Sequence, residues 1–146
     1  MEKYTRIALP EDDYITLLGI ALYVFNSNNS FIIENILHVK KDEADWYELI
    51  DDEKGKVINT LKEILTDSHE IYKLFKSIKE KRNRIVHSFP ITESKNHQQR
   101  LQTKSKIKDG SKQELISEKY LVEFIQENDK LSNMLYQLRD NILKKQ

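Results

Sequence analysis

The last thirty residues carry Leu121, Phe124, Ile125, Asn128, Leu131, Leu135, Leu138 and Ile142, spaced at threes and fours. At about 100° per residue this spacing lines up one face of an α-helix roughly six turns long, enough to span a small domain. Ser117 stands where its N-terminal cap belongs. A rod of that length with one apolar face must be covered by other elements along its whole length, which favours a bundle.

The same spacing recurs upstream. Pro10-Glu11-Asp12-Asp13 is a helix start, with proline in the first turn and acids at the positive end of the dipole. Leu17, Leu18, Ala21, Leu22 and Phe25 follow as one face. Asn26-Ser27-Asn28-Asn29-Ser30 predicts a break, and Phe31, Ile32, Ile36 and Leu37 predict a second helix to about Lys40, paired with the first as a hairpin. Lys41 to Asp52 reads as a loop or short helical turn, with Trp46 and Tyr47 capping the end of the bundle and Trp46 packed into the core rather than stacking on a base. Val57, Leu61, Ile64 and Leu65 mark a further helix. Asp67-Ser68 then caps a long one through Ile71, Leu74, Phe75, Ile78, Ile85 and Phe89, ended by Pro90. Beyond Pro90, Arg100 to Lys104 and Lys112 to Ile116 flank Lys108-Asp109-Gly110-Ser111, an Asp-Gly turn signal that predicts a β-hairpin over about 99–116. The fold class is therefore all-α: an up-and-down bundle of four to five helices, residues 1–146 as one domain, with a small hairpin before the last helix.

Composition narrows the chemistry. The chain has no cysteine, which excludes disulfides, thiolate metal sites and a cysteine nucleophile. His38, His69, His87 and His97 fall at no ligand spacing, so neither metal nor other cofactor is expected. The carboxylates of Asp42-Glu43-Ala44-Asp45 offer a metal-dependent alternative. No secretory leader or uninterrupted apolar span is evident, so the expectation is a cytoplasmic protein without a membrane partner. Net charge is zero, yet residues 1–54 sum to minus 7, residues 55–112 to plus 8 and residues 113–146 to minus 1. The basic middle either faces a polyanion or faces the acidic parts of its own chain.

That middle third holds Arg82-Asn83-Arg84-Ile85-Val86-His87. Histidine exchanges a proton near neutral pH, and guanidinium holds phosphate through paired donors. These are the parts phosphodiester chemistry uses; the alternative is a solvated helix face. Arg82 sits where the stripe Ile78 to Ile85 expects a hydrophobe, a costly place for a charge that meets no anion or partner. Asn83 and His87 share a face, whereas Arg82 and His87 are about 140° apart on a regular helix. Local unwinding toward Pro90 or a symmetric dimer would bring them together.

The hexamer, late on a long helix of a small all-helical domain, resembles the HEPN superfamily, whose signature is an arginine, often followed by a polar residue, and a histidine a few residues on. Here four residues separate Arg82 from His87, and Asn83 fills the polar place. His87-Ser88-Phe89-Pro90-Ile91-Thr92 followed by Gln99-Arg100-Leu101 also looks like small bacterial HEPN-like proteins, and the likeness extends over about residues 12 to 143. The resemblance implies a metal-independent endoribonuclease of toxin or antiviral-defence type, a homodimer whose histidine and arginine meet at the interface and cut RNA through its 2′-hydroxyl. His87 would be the general acid or base, Arg82 would stabilise the charged phosphorane, and Asn83 would orient His87 or the phosphate. Lys79, Arg84, Arg100 and Lys104 would bind substrate. RNA, a second copy and an antitoxin protein are the implied partners; DNA, lacking the internal nucleophile, is not. Some HEPN-like proteins instead serve as non-catalytic modules that bind a protein, nucleotide or RNA.

Overall fold

The computed structural model describes residues 4–66, 68–104 and 112–145. Its two longest helices, α1 (Asp12–Lys40) and α5 (Glu118–Lys144), lie side by side and run parallel, since Tyr14 meets Ile116, Asn28 meets Asn128 and Phe31 meets Tyr136. A short helix α2 (Trp46–Asp51) carries the chain back to the level of Phe25, and α3 (Lys56–Leu65) runs out again to where its Glu63 meets Lys40 at 2.6 Å. Helix α4 (Glu70–Val86) returns against α5, with Lys81 paired to Glu127. The core lies between these helices and includes Phe25 stacked on Phe75 at 6.2 Å, with Ile32, Ile78, Phe124 and Leu131 buried.

The expected break at Asn26 to Ser30 does not occur: α1 is one helix of 29 residues, not a hairpin of two. Asparagine and serine in a helix interior cost only tenths of a kcal/mol each. Here Asn28 turns inward, and its Nδ2 donates to the backbone oxygen (2.8 Å) and Oδ1 (3.1 Å) of Asn128, whose own Nδ2 donates to the Phe124 carbonyl at 2.9 Å. An intact helix also keeps Phe25 and Ile32 on the same buried stripe. As one element, α1 with the 3₁₀ turn after it is long and apolar enough to cross a membrane by length and composition, with a mean hydropathy of 1.2 in its best window. Its Tyr14, Ala21, Phe25 and Ile36 are nevertheless taken up by the core.

Trp46 is not packed into the core. It is 47% exposed and meets Tyr47 edge-on at 5.1 Å, because only Leu49 of α2 points inward. The cap of α4 is His69, whose Nδ1 accepts the Ile71 N–H at 3.1 Å, rather than Ser68; Asp67 lies outside the described residues. Ser117 caps α5 as its sequence position predicts, accepting the Tyr120 N–H at 3.0 Å.

The β-structure stands before α5 as expected but holds three strands, β1 (Phe89–Thr92), β2 (Gln99–Gln102) and β3 (Leu115–Ile116), antiparallel in that order. Pro90, expected only as a helix stop, sits within β1, where an edge position tolerates a residue with no N–H. The Asp109-Gly110 turn lies outside the described residues. Tyr14, fully buried, ties the sheet to α1: its hydroxyl donates to the Ile116 carbonyl (2.7 Å) and accepts the Leu101 N–H (3.2 Å).

Replacing Asn128 with Leu leaves the Asn28 amide buried without its side-chain acceptor and should destabilise the protein by about 1–3 kcal/mol in urea unfolding. Replacing both asparagines with Leu should recover most of that loss; a double variant as unstable as the sum of the singles would show that the pair is not coupled.

Candidate functional site

Helix α4 places the hexamer at its C-terminal end and sorts it onto two faces. On the inner stripe with Phe75 and Ile78 lies Arg82, its guanidinium carbon 4.8 Å from the centre of the Phe25 ring. Its Nε is shut off from solvent and makes no hydrogen bond, and no ion pair is formed by its side chain among the described residues. Burial lowers the Arg82 pKa from its ordinary value, and the charge of nearby Asp52 acts in the opposite direction. Asp52 is already engaged. Its Oδ2 accepts from Lys79 at 2.8 Å and its Oδ1 from the Val57 N–H at 2.9 Å.

Arg82 opens into a cleft of about 400 Å³ between α1, α4 and the end of α2, lined by Asn26, Asn29, Ser30, Ile50 and Asp51. The chain is held there under backbone strain. Asp52 (φ 50°), the left-handed C-cap of α2, is followed by Lys54 (φ 54°) and Gly55 (φ 71°), also left-handed, a conformation costly for Lys54 and easy for glycine. This loop brings Asp51 and Asp52 up to Arg82.

On the opposite face, Asn83 and His87 are exposed together with Lys73, Lys76 and Glu80. Helix α4 keeps its register to the end: the His87 N–H bonds the Asn83 carbonyl at 3.0 Å and His87 adopts φ −98°, ψ 17°. No unwinding swings His87 toward Arg82, and the Arg82 cleft contains neither His87 nor Asn83. Within one chain the two signature residues stay apart.

The expected phosphate-binding cations are mostly occupied. Lys79 holds Asp52, and Arg84 lies 3.6 Å from Glu114. Arg100, 6% exposed, is buried over the Tyr14 ring at 4.4 Å, grips Glu11 with both Nη atoms and donates to Gln98 and the Gln99 carbonyl. It is the tie between the sheet and the start of α1. Lys104, just after β2, is exposed. Among the described residues no group of three or more His, Cys, Asp or Glu side chains converges as metal ligands would.

The Phe25 ring, Asp51 and the exposed α2 were not legible as parts of a site; only Gly55, which permits the left-handed run, marked that loop in the sequence. No protein family, curated protein or solved structure matches the chain.

Two outcomes follow. Arg82 is half-buried with no hydrogen bond among the described residues, so Arg82→Met should leave unfolding stability unchanged within about 1 kcal/mol or raise it, whereas loss of a structural arginine would cost several. The hydrogen bonds and charge of Arg100 draw the Glu11 pKa from 4.5 down to about 2. A depressed carboxylate contributes stability above its unfolded pKa and loses it as pH falls through the folded one. Glu11→Gln should therefore flatten the wild-type loss of stability between about pH 4.5 and 2, followed by urea midpoint against pH.

Proposed function

We propose that this protein is a metal-independent endoribonuclease of the HEPN type, acting as a homodimer in the cytoplasm. The observation that carries this is Arg82: a half-buried guanidinium over an aromatic ring, facing an open cleft, with no hydrogen-bond acceptor among the described residues. Such a group is costly to bury, and its position at an open cleft suits it to an incoming anion. Asn83 and His87, exposed one turn apart, supply the proton-transfer side.

In this mechanism the substrate's 2′-oxygen attacks the adjacent phosphorus as one His87 takes its proton. Arg82 holds the pentacoordinate phosphorane, and the P–O5′ bond breaks as a proton passes to the leaving 5′-oxygen, giving a 2′,3′-cyclic phosphate and a 5′-hydroxyl. A two-fold dimer supplies two copies of His87, one as base and one as acid. Asn83 orients the ring or the phosphate. A toxin or defence role, with an antitoxin partner, would follow from such an activity.

The second reading is a non-catalytic helical module that binds a protein, nucleotide or RNA partner. What favours it is the separation of His87 from the Arg82 cleft and the presence of Asp51 and Asp52 at that cleft.

Purified protein should cut single-stranded RNA in EDTA and leave 2′,3′-cyclic ends, and His87→Ala should slow cleavage by about a hundredfold or more with the circular dichroism unchanged. Mixing His87→Ala with Arg82→Ala protein should restore part of the activity if each site is shared between chains. Cleavage that survives His87→Ala removes the assigned roles; stable co-purification of another chain with no cleavage by wild type favours the binding module.

A further inference from the structure

The end of the bundle away from the hexamer has an opening of its own. Lys81 pairs with Glu127 and Arg84 with Glu114, so Arg82 and His87 stand beside the start of α5. The other end of α5 is shaped by register. Asn28 lies level with Asn128, so α1, which ends at Lys40, stops about level with Asp140 while α5 runs on to Lys144. Helix α3 ends there too, its Glu63 against Lys40. The apolar stripe of α5 thus reaches Ile142 after the helices that cover it have stopped. What remains is a pocket of about 430 Å³ floored by Leu138 and Ile142 of α5, Ile64 of α3 and Val39 of α1, the last 42% exposed.

The rim of this pocket is basic. His38, Lys41 and Lys145 line it, and among the described residues the lining holds no carboxylate and no aromatic ring. The nearby acids are engaged elsewhere, Glu34 with His38 at 3.9 Å and Glu63 with Lys40 at 2.6 Å. The Lys41 and Lys145 side chains make no hydrogen bond or ion pair among the described residues. A lysine at a helix C-terminus answers the dipole in any helix, so the selective feature is the pairing of two such cations, from different helices, with an aliphatic floor that the chain leaves uncovered. A nucleotide would find no ring to stack on, and an amine would find no acid. The match is a molecule with one acidic head and one apolar tail, in a pocket of the size that small ligands occupy. We propose that this pocket binds a free alkyl carboxylate of medium chain length, its tail on Val39, Ile64, Leu138 and Ile142 and its head between Lys41 and Lys145. The floor is set between three helix ends and not along the face of one helix, which suits a single soluble molecule and not a bilayer surface.

The wild-type protein is titrated calorimetrically with hexanoate, octanoate, decanoate and dodecanoate, each below its critical micelle concentration. Affinity should rise by about fourfold per added methylene and level off once the pocket is full. Octanol and octyltrimethylammonium should bind at least about tenfold more weakly than octanoate, and the Lys41→Glu, Lys145→Glu double variant should lose that preference with its circular dichroism unchanged. Affinity independent of tail length, octanol bound as tightly as octanoate, or a preference unchanged in the double variant overturns the site. So does co-sedimentation with phosphatidylglycerol vesicles by protein that binds no octanoate, which would make this end of the bundle a membrane contact. None of these readouts depends on RNA cleavage, so the site and the nuclease stand or fall separately.

Discussion

The parallel pairing of α1 with α5 is the constraint on which everything else hangs, and Asn28 with Asn128 sets its register. Two long apolar stripes can slide past each other by a turn at modest cost, because one leucine-sized side chain fills much the same hole as another. A buried amide cannot slide. Displaced by one turn, the Asn28 Nδ2 would lose both acceptors on Asn128 while staying out of water. Once that register is set, Tyr14 falls at Ile116, which fixes where the sheet joins the helices, and Phe25 falls at the level where α4 presents Arg82. Asn35, seven residues beyond Asn28, is also buried but has neither amide atom bonded. The register is thus secured at one polar layer rather than two.

Arg82 is the place where stability and use part company. Its neighbours on the stripe, Phe75, Ile78 and Ile85, are buried as their spacing requires. At Arg82 the same stripe accepts a guanidinium whose compensations among the described residues are the face of Phe25 and the field of a carboxylate already bonded to Lys79. The contrast with Arg100 is direct. Arg100 is more deeply buried, yet every hydrogen bond it makes has a protein acceptor, and it strengthens the joint between the sheet and α1. Two arginines from one basic segment therefore serve opposite ends: one satisfied and structural, the other unsatisfied and facing a cleft.

What could be read from the sequence follows from how local its cause was. The stripes of α4 and α5, the Ser117 cap and the stop near Pro90 depend on neighbours within a turn or two, and they stand as expected. The continuity of α1 depends on Asn128, a hundred residues away, so five polar residues in a row looked like a break. Strand β1 was hidden because Phe89 also fits the helical stripe of α4, and only pairing with Gln102 makes it a strand. The exposure of Trp46 depends on which way a six-residue helix is turned, which its own residues do not specify. For the site, the sequence placed Arg82 against Asn83 and His87 by angle alone, and the structure keeps that separation. The acids that occupy Lys79, Arg84 and Arg100 come from other segments, so which cations stay exposed could not be read from charge counts.

The separation also says where a second copy would have to sit. Taken about the α4 axis, Arg82 and His87 bound a sector of about 140° that contains Phe75, Val86, Lys79, Tyr72, Asn83 and Lys76. Val86, half of whose surface is exposed, is the large apolar residue left exposed within it. For His87 of one protomer to reach the mouth of its partner's Arg82 cleft, and the reverse at the same time, the two-fold axis must pass through this sector, with the two α4 helices crossing near Val86 and Asn83. An axis through the outer face at Lys73 and Glu80 would bring the two copies of His87 together but leave both Arg82 clefts pointing away. A shared catalytic site therefore requires the Val86 side of α4.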